Sequence, residues 1–422
     1  MSSTTNLSSR MNGMNSSYST EIKSKYLKYQ LHSLIGVFIG YMCYYIVRNN
    51  FVLSTPYLAE KLELSKTQIG LLTSSLLITY GCSKGAMSIL ADKANPRYFM
   101  ALGLLLCILI NIMMGFSTSF YLFVGLVILL GVFQGMGVGP SIITVGYWYP
   151  RSQRGRASTT WNVSHNLGGG IVAPIEQWEI STYVVPSVIA LIGVFLVLFF
   201  VKRRPAEEGL PTVEEMYNEE TVNTKLKGHL SEKPENMTAF QIFYKFVVKN
   251  PNSWYLVGVD IFTYMVRFGM LTWIPLYLLK EKGLTKTDMG AAFMIFEWAA
   301  IPSTLIAGWL IDKFFRGKIM YLPMICMTIV FFCVFGYMNS ESIFAIILFS
   351  AIVGCLVYIP QSMVAVQAME VIPSFALGSA VGLRGFMSYI VGSTFGTTLF
   401  GFVVDKFGWS SGFYTIMCGA VM

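Results

Sequence analysis

The chain has 422 residues, of which 54% are hydrophobic and only 12% charged, against a charged share of about a quarter in soluble domains. With a mean hydropathy of +0.59 it has too few polar side chains to cover a water-facing surface. This excludes an ordinary soluble enzyme, a disordered chain and a small disulfide scaffold, and leaves a protein that crosses the membrane many times. The net charge of +8 is spread over few ionisable groups, and nucleic acid is a poor partner for cations carried by so apolar a chain.

Residues 1–30 are rich in Ser, Thr and Asn, with no apolar stretch before Leu31. They read as a disordered cytoplasmic tail rather than a cleaved signal peptide. Beyond them come apolar runs near 31–58, 66–90, 98–116, 119–146, 156–175 and 183–201, then near 253–279, 288–311, 319–338, 342–366, 377–403 and 412–422. Most approach the ~20 residues a spanning helix needs. The reading is an all-α membrane protein with an amino-terminal six-helix bundle over 31–201 and a carboxy-terminal bundle over 253–422. A polar linker over 202–252, ending in an amphipathic surface stretch, joins them. The fifth run meets Glu176 and Glu179 early, so its hairpin to the sixth reads as short. The run from Gly412 has 11 residues, about 16 Å as helix, and reads as a cut-off twelfth span.

The short loops set the expected orientation. Lys23, Lys25 and Lys28, then Lys93 and Arg97, Arg151, Arg154 and Arg156, Lys202 to Arg204, and Lys313, Arg316 and Lys318 all fall on one side. The opposite loops carry mixed charge, as in Glu60/Lys61 and Lys280/Glu281/Lys282. The excess of cations places the amino terminus and the linker in the cytoplasm.

The two bundles look like copies of one unit. Tyr45-Ile46-Val47-Arg48 recurs 219 positions later as Tyr264-Met265-Val266-Arg267, and Pro56 and Pro275 share that offset. Asp92-Lys93 recurs 220 positions later as Asp312-Lys313. Duplicated halves of this kind build carriers whose site lies at their interface, near the bilayer midplane.

Charges inside the spans point to that site. An ionised side chain at the centre of a membrane helix costs roughly 2.5–3.5 kcal/mol on an insertion scale. The spans nonetheless hold Arg48, Lys84, Arg267 and Arg384 against Asp260 and Glu297. The excess cations must face a wet cavity or a partner. Tyr41, Tyr45 and Arg48 share one helical face; Tyr80 stands four residues before Lys84, and Tyr264 three before Arg267. Trp161, Asn162, His165 and Asn166 precede Gly168-Gly169-Gly170. Guanidinium forks, one from each half, suit the oxygens of a phosphate. Other readings stay open at single positions. Lys84 can snorkel to the surface, Arg384 can neutralise Glu297 or Asp260, His165 can be an ordinary hydrogen-bonding residue, and the glycines can serve helix packing.

The seven cysteines all lie in apolar runs, with no CxxC pair and no metal-ligand cluster, so they read as small buried hydrophobes. No metal and no cofactor are expected. Neither a phosphate-binding loop, an HExxH motif nor a nucleophile elbow occurs, which argues against direct ATP coupling and against an enzyme.

The loops Ala91-Asp92-Lys93…Pro96-Arg97 and Gly308…Asp312-Lys313…Arg316-Gly317-Lys318 are similar to the signature of the major facilitator superfamily. The stretches Tyr44 to Phe51, Trp161 to Gly170 and Tyr264 to Gly269 resemble the organophosphate:inorganic phosphate antiporters within it, from about Tyr29 to the last residue. Phe296 to Thr304 and Gly378 to Tyr389 most resemble members that carry phosphoglycerates.

This resemblance implies import of an organic phosphate in exchange for inorganic phosphate, by rocking of two halves in a bacterial inner membrane. It implies Arg48 and Arg267 as the phosphate pair, with Lys84, His165, Tyr41, Tyr45, Tyr80, Tyr264 and Tyr358 around them. Asp260 and Glu297 are expected to couple charge, and Asp92, Lys93, Arg97, Asp312 and Lys313 to form gating loops. Hexose-phosphate relatives show an acid-x-x-Lys pattern where this chain has Val381 and Arg384. Arg384 is therefore expected to suit a substrate that adds a carboxylate to its phosphate. The alternatives are a hexose-6-phosphate or glycerol-3-phosphate antiporter, a transporter-like sensor of sugar phosphates, and a proton-coupled carrier using Asp260 or Glu297. A monomer in the bilayer is expected.

Overall fold

The computed structural model describes residues 14–175, 181–218, 237–314, 320–373 and 376–422. Twelve main helices run through them. One half comprises α1 (Thr20–Leu53), α2 (Lys66–Lys93), α3 (Pro96–Gly115), α4 (Phe120–Trp148), α5 (Arg151–Ile175) and α6 (Ser181–Phe200). The other comprises α7 (Pro251–Glu281), α8 (Lys286–Phe314), α9 (Tyr321–Asn339), α10 (Ile343–Val371), α11 (Ser379–Phe407) and α12 (Trp409–Val421). No strand occurs among the described residues. Eight helices, α1, α3, α4, α6, α7, α9, α10 and α11, are long and apolar enough to cross a membrane by length and composition. Helices α2 and α5 have the length, at 28 and 25 residues, but carry more polar residues.

The helix starts follow local chemistry. Ser65 caps α2 by accepting from the backbone N–H of Gln68, whose own side chain accepts from the N–H of Ser65. Asn95 and Asn250 cap α3 and α7 by accepting from the backbone N–H of Arg97 and of Asn252, and each is followed by a proline whose missing N–H costs nothing there. Burial separates inner from outer helices. In α7 89% of the apolar window is buried, against 33% in α6, so α7 stands at the centre and α6 at the rim. The outer helices expose Leu109, Phe116, Ile192, Phe195, Phe332 and Phe344, the apolar surface that hydrocarbon requires. Inside, α1 packs on α5 and α6, and α8 on α10. Across the halves, α5 meets α8 and α2 meets α11. Helix α11 widens into π-type turns at Ser388–Gly392 and Phe395–Leu399.

The amino-terminal segment departs from the expected tail. Helix α1 begins at Thr20, capped by Ser19, well before the expected span start at 31. Met14, Tyr26 and Leu27 are buried with Trp148, Leu210 and Met216. Gln30 donates to the Trp148 carbonyl at 2.7 Å, and the Trp148 indole N–H to the Lys202 carbonyl at 2.9 Å. The polar composition of this segment hid aromatic residues that pack against the first part of the linker. Residues 1–13, the hairpin 176–180 and the linker residues 219–236 lie outside the described residues.

Candidate functional site

Arg48 on α1 and Arg267 on α7 are each 4% exposed and border the same cavity. Its lining takes Tyr45, Asn49 and Thr73 from one half and Phe268, Thr272 and Glu297 from the other. It encloses about 20 Å³, room for about one water, so the walls stand closed on one another. The twin sequences in α1 and α7 explain the placement: each helix is central, and each turns the same tetrapeptide face inward.

Aromatic rings hold both guanidiniums. Arg48 lies 5.1 Å from the Tyr45 ring centre and 4.6 Å from that of Tyr80. Arg267 lies 4.1 Å from the Tyr358 ring and 5.1 Å from Phe268. Such stacking attracts a cation through the ring quadrupole without cancelling its charge. The Arg267 Nη1 also donates to Gln361 Oε1 at 3.0 Å, and Gln361 Nε2 donates to the Tyr264 hydroxyl at 2.9 Å. Arg48 Nη1 and Arg267 Nε are buried without a hydrogen-bond partner. Both are donors of the kind that an anion's oxygens satisfy.

The expected aromatic shell gathers around this point. Tyr41 and Tyr80 hydroxyls are 3.3 Å apart. The His165 ring stands 5.1 Å from Tyr45, 6.4 Å from Tyr41 and 6.2 Å from Tyr358, the last across the two halves. One His165 ring nitrogen, Nδ1, bonds the Asn162 carbonyl of its own helix. Lys84, one turn beyond Tyr80, is half-buried. It stands toward the end where Gly85 has no heavy atom near an added Cβ.

Glu297 is buried in the same wall. Its carboxylate accepts from Asn166 at 3.0 Å, from the Tyr358 hydroxyl at 3.1 Å and from Asn49 at 3.4 Å. Neutral donors from both halves therefore satisfy it, in place of a cation. Asn49, which follows the first arginine, thus has a definite role.

Arg384 was expected to suit the substrate, with neutralisation of Glu297 or Asp260 left open. In the structure it forms an ion pair with Asp260, and it is not among the residues that line the cavity. Helices α7 and α11 pack side by side, which brings the two charges together inside the protein and away from lipid. Asp260 is thereby engaged with a fixed partner. Of the expected gating residues, Asp92 and Lys93 are exposed at the end of α2, and Arg97 lies 5.3 Å from the Tyr98 ring. Lys313 lies against Phe314; the side chain of Asp312 is outside the described residues.

Two residues of the site were not singled out from sequence. Gln361 stands three positions after Tyr358, so both face Arg267; that spacing was the available signal. Tyr389 bridges the halves, with its ring 5.3 Å from Tyr80 and 5.1 Å from Tyr264. Among the described residues no cluster of His, Cys, Asp and Glu could hold a metal ion.

Comparison with known proteins agrees with this architecture. Residues 37–396 match the Major Facilitator Superfamily profile. The chain is 55% identical to a phosphoglycerate transporter protein of Salmonella typhimurium, over 95% of this chain and 89% of that one. It is 35% identical to a glycerol-3-phosphate transporter of Bacillus subtilis, over 96% and 92%. It is 32% identical to a hexose-6-phosphate:phosphate antiporter of Escherichia coli, over 95% and 90%. Among solved structures, a bacterial homologue of the lysosomal transporter Spinster, inward-facing and occupied, superposes with a TM-score of 0.74 at 12% identity, over 93% of this chain and 94% of that one.

Proposed function

The chain belongs to the major facilitator superfamily, and we propose that it imports phosphoglycerates, and phosphoenolpyruvate with them, in exchange for inorganic phosphate. The observation that carries this reading is the pair Arg48 and Arg267, one from each half, buried against a single cavity with donors left unpaired. Guanidinium is always charged and binds two oxygens at a time, so two forks meeting from opposite sides suit a phosphate. The 55% identity to a phosphoglycerate transporter favours that substrate class over hexose or glycerol phosphates.

The geometry also supports exchange. Two buried cations with one carboxyl beside them are costly to enclose without an anion. A bound phosphate offsets that charge and lets the halves close around it, so transit is favoured when the site is loaded. The excess of cations in one set of loops supports a cytoplasmic amino terminus, and the family and its bacterial relatives support a multi-pass protein of the bacterial inner membrane. Tyr41, Tyr45, Tyr80, Tyr264, Tyr358 and His165 shape the site around the phosphate. Lys84, on the open side, meets the anion on entry. Arg384, held by Asp260, is left out of the binding set, and a single copy of the chain contains the whole site.

Vesicles loaded with phosphate should take up labelled 3-phosphoglycerate with one-for-one stoichiometry. Uptake equally fast into unloaded vesicles would overturn exchange. Arg48→Lys or Arg267→Lys should lower uptake more than about 100-fold, since each loses a bidentate contact to a buried anion, while membrane insertion stays unchanged. Normal transport by either variant would remove the two-arginine site.

A further inference from the structure

The two cavity arginines are twins in sequence but are held differently. Arg48 has rings on its faces and an unpartnered Nη1. Arg267 also has two rings and an unpartnered donor, its Nε, but in addition it has the Gln361 amide: Nη1 donates to Oε1 at 3.0 Å while Nε2 donates to Tyr264 at 2.9 Å. The amide's orientation follows from chemistry. A guanidinium has only donors, so the amide oxygen must face it, and the NH₂ is left for the tyrosine oxygen. At the offset of 220 that holds from Asp92 onward, the position matching Gln361 is Ser141, which is buried and donates to the Gly137 carbonyl of its own helix at 2.8 Å, so the clamp has no counterpart beside Arg48. The acid in this wall, Glu297, accepts from Asn49, Asn166 and Tyr358 and forms no ion pair with Arg267 among the described residues.

We propose that Gln361 is a positioning residue for the phosphate site, a neutral clamp that fixes the Arg267 fork without cancelling its charge. A carboxylate at this place would orient the guanidinium equally well. It would also neutralise it and compete with the incoming phosphate for the same donors. The amide separates orientation from neutralisation, and the second hydrogen bond to Tyr264 stops it from turning. The inference rests on the cavity being a phosphate site.

The test uses the full chain, in detergent for phosphate binding and thermal stability and in vesicles for phosphate counterflow. Gln361→Glu keeps the side-chain length and the bond to Arg267. Gln361→Met keeps the length and loses both bonds. A merely structural glutamine predicts that affinity follows stability, with the Met variant the worse in both. The clamp predicts a crossed order. Gln361→Glu should remain at least as stable as Gln361→Met yet bind phosphate about 100-fold more weakly than the native chain. Gln361→Met should raise the phosphate KM about three- to tenfold, with the maximal rate within about twofold. Affinities that rank with stability, or a Glu variant within threefold of native, would overturn the clamp. Native counterflow separates this from the reading beneath it. If the native chain exchanges no phosphate, the site assignment fails; if it does and the variants do not cross, the clamp alone fails.

Discussion

The two ends of the seam between α2 and α11 are built differently. At the end carrying Lys66 and Asp405 the helices touch. A side chain at Gly70 would collide with the backbone of Thr397 and Thr398, and one at Gly401 with the Lys66 carbonyl. Ser74 and Thr398 share a hydroxyl hydrogen bond at 2.7 Å. Asp405, one turn beyond Gly401, caps α2 from the opposite half: its carboxylate accepts the N–H of Lys66 at 3.1 Å and of Thr67 at 2.7 Å, and the Thr67 hydroxyl at 2.6 Å. Ser65 takes the next N–H within its own half, so two acceptors from different halves share one helix start. Lys280 and Glu60 pair nearby. At the other end, Gly85 on α2 and Gly382 and Gly385 on α11 have no heavy atom within 4 Å of an added Cβ. The same two helices therefore form a V, shut at one end and open at the end of the basic loops. Glycine permits close contact in one arm and lines open space in the other.

This contrast can be broken at graded strength. The measurement is the distance between spin labels at Tyr121 and Phe407, exposed sites on opposite halves at the closed end, in a chain whose native cysteines are replaced by alanine. Gly401→Leu should act most. It forces side-chain volume into a backbone contact, a change of about 1–3 kcal/mol, and should move most molecules to the longer distance. An unchanged distance would show that the glycine notch does not hold the seam. Asp405→Ala removes a helix cap worth about 1 kcal/mol and should shift the population ratio roughly fivefold in the same direction. No shift would mean that water replaces the carboxylate without loss. Lys280→Ala should act least. The pair is exposed, 42% and 65% for its two side chains, and such pairs contribute about 0–1 kcal/mol. A shift larger than that of Asp405→Ala would invert the ranking and make surface charge the main fastener.

Much of this fold was legible before any coordinates. The apolar runs, the basic loops and the repeat at Arg48 and Arg267 are local or periodic signals, and lipid enforces them strictly because a spanning helix cannot hide unpaired backbone or charge. Tyr41, Tyr45, Tyr80 and Tyr264 followed from helical spacing around those cations, His165 stood out as a polar residue in the fifth run, and Tyr358 was implied by the resemblance alone. The partner of Arg384 did not follow. Asp260 and Glu297 were both available in sequence, and only the packing of α7 on α11 selects Asp260. Glu297 was expected to couple charge; its neutral partners lie on α1, α5 and α10, far apart along the chain. Gln361 escaped notice because a neutral amide does not stand out in a membrane helix as a charge does, and its spacing from Tyr358 was a weak signal until its two bonds were seen. The early start of α1 was missed because the apolar criterion does not register a helix that leaves the lipid and packs on Trp148.

By itself the amino-acid order determined that this is a duplicated bundle of membrane helices with an arginine at matching places in each copy. Burial of charge in hydrocarbon is so costly that residue type alone marks the positions that must face a cavity or a partner. Tertiary structure decided which acid Arg384 meets, which arginine receives an amide clamp, and which end of the seam is shut. Those choices are differences of a few kcal/mol between alternative neighbours, set by how helices distant in the chain come to lie against one another.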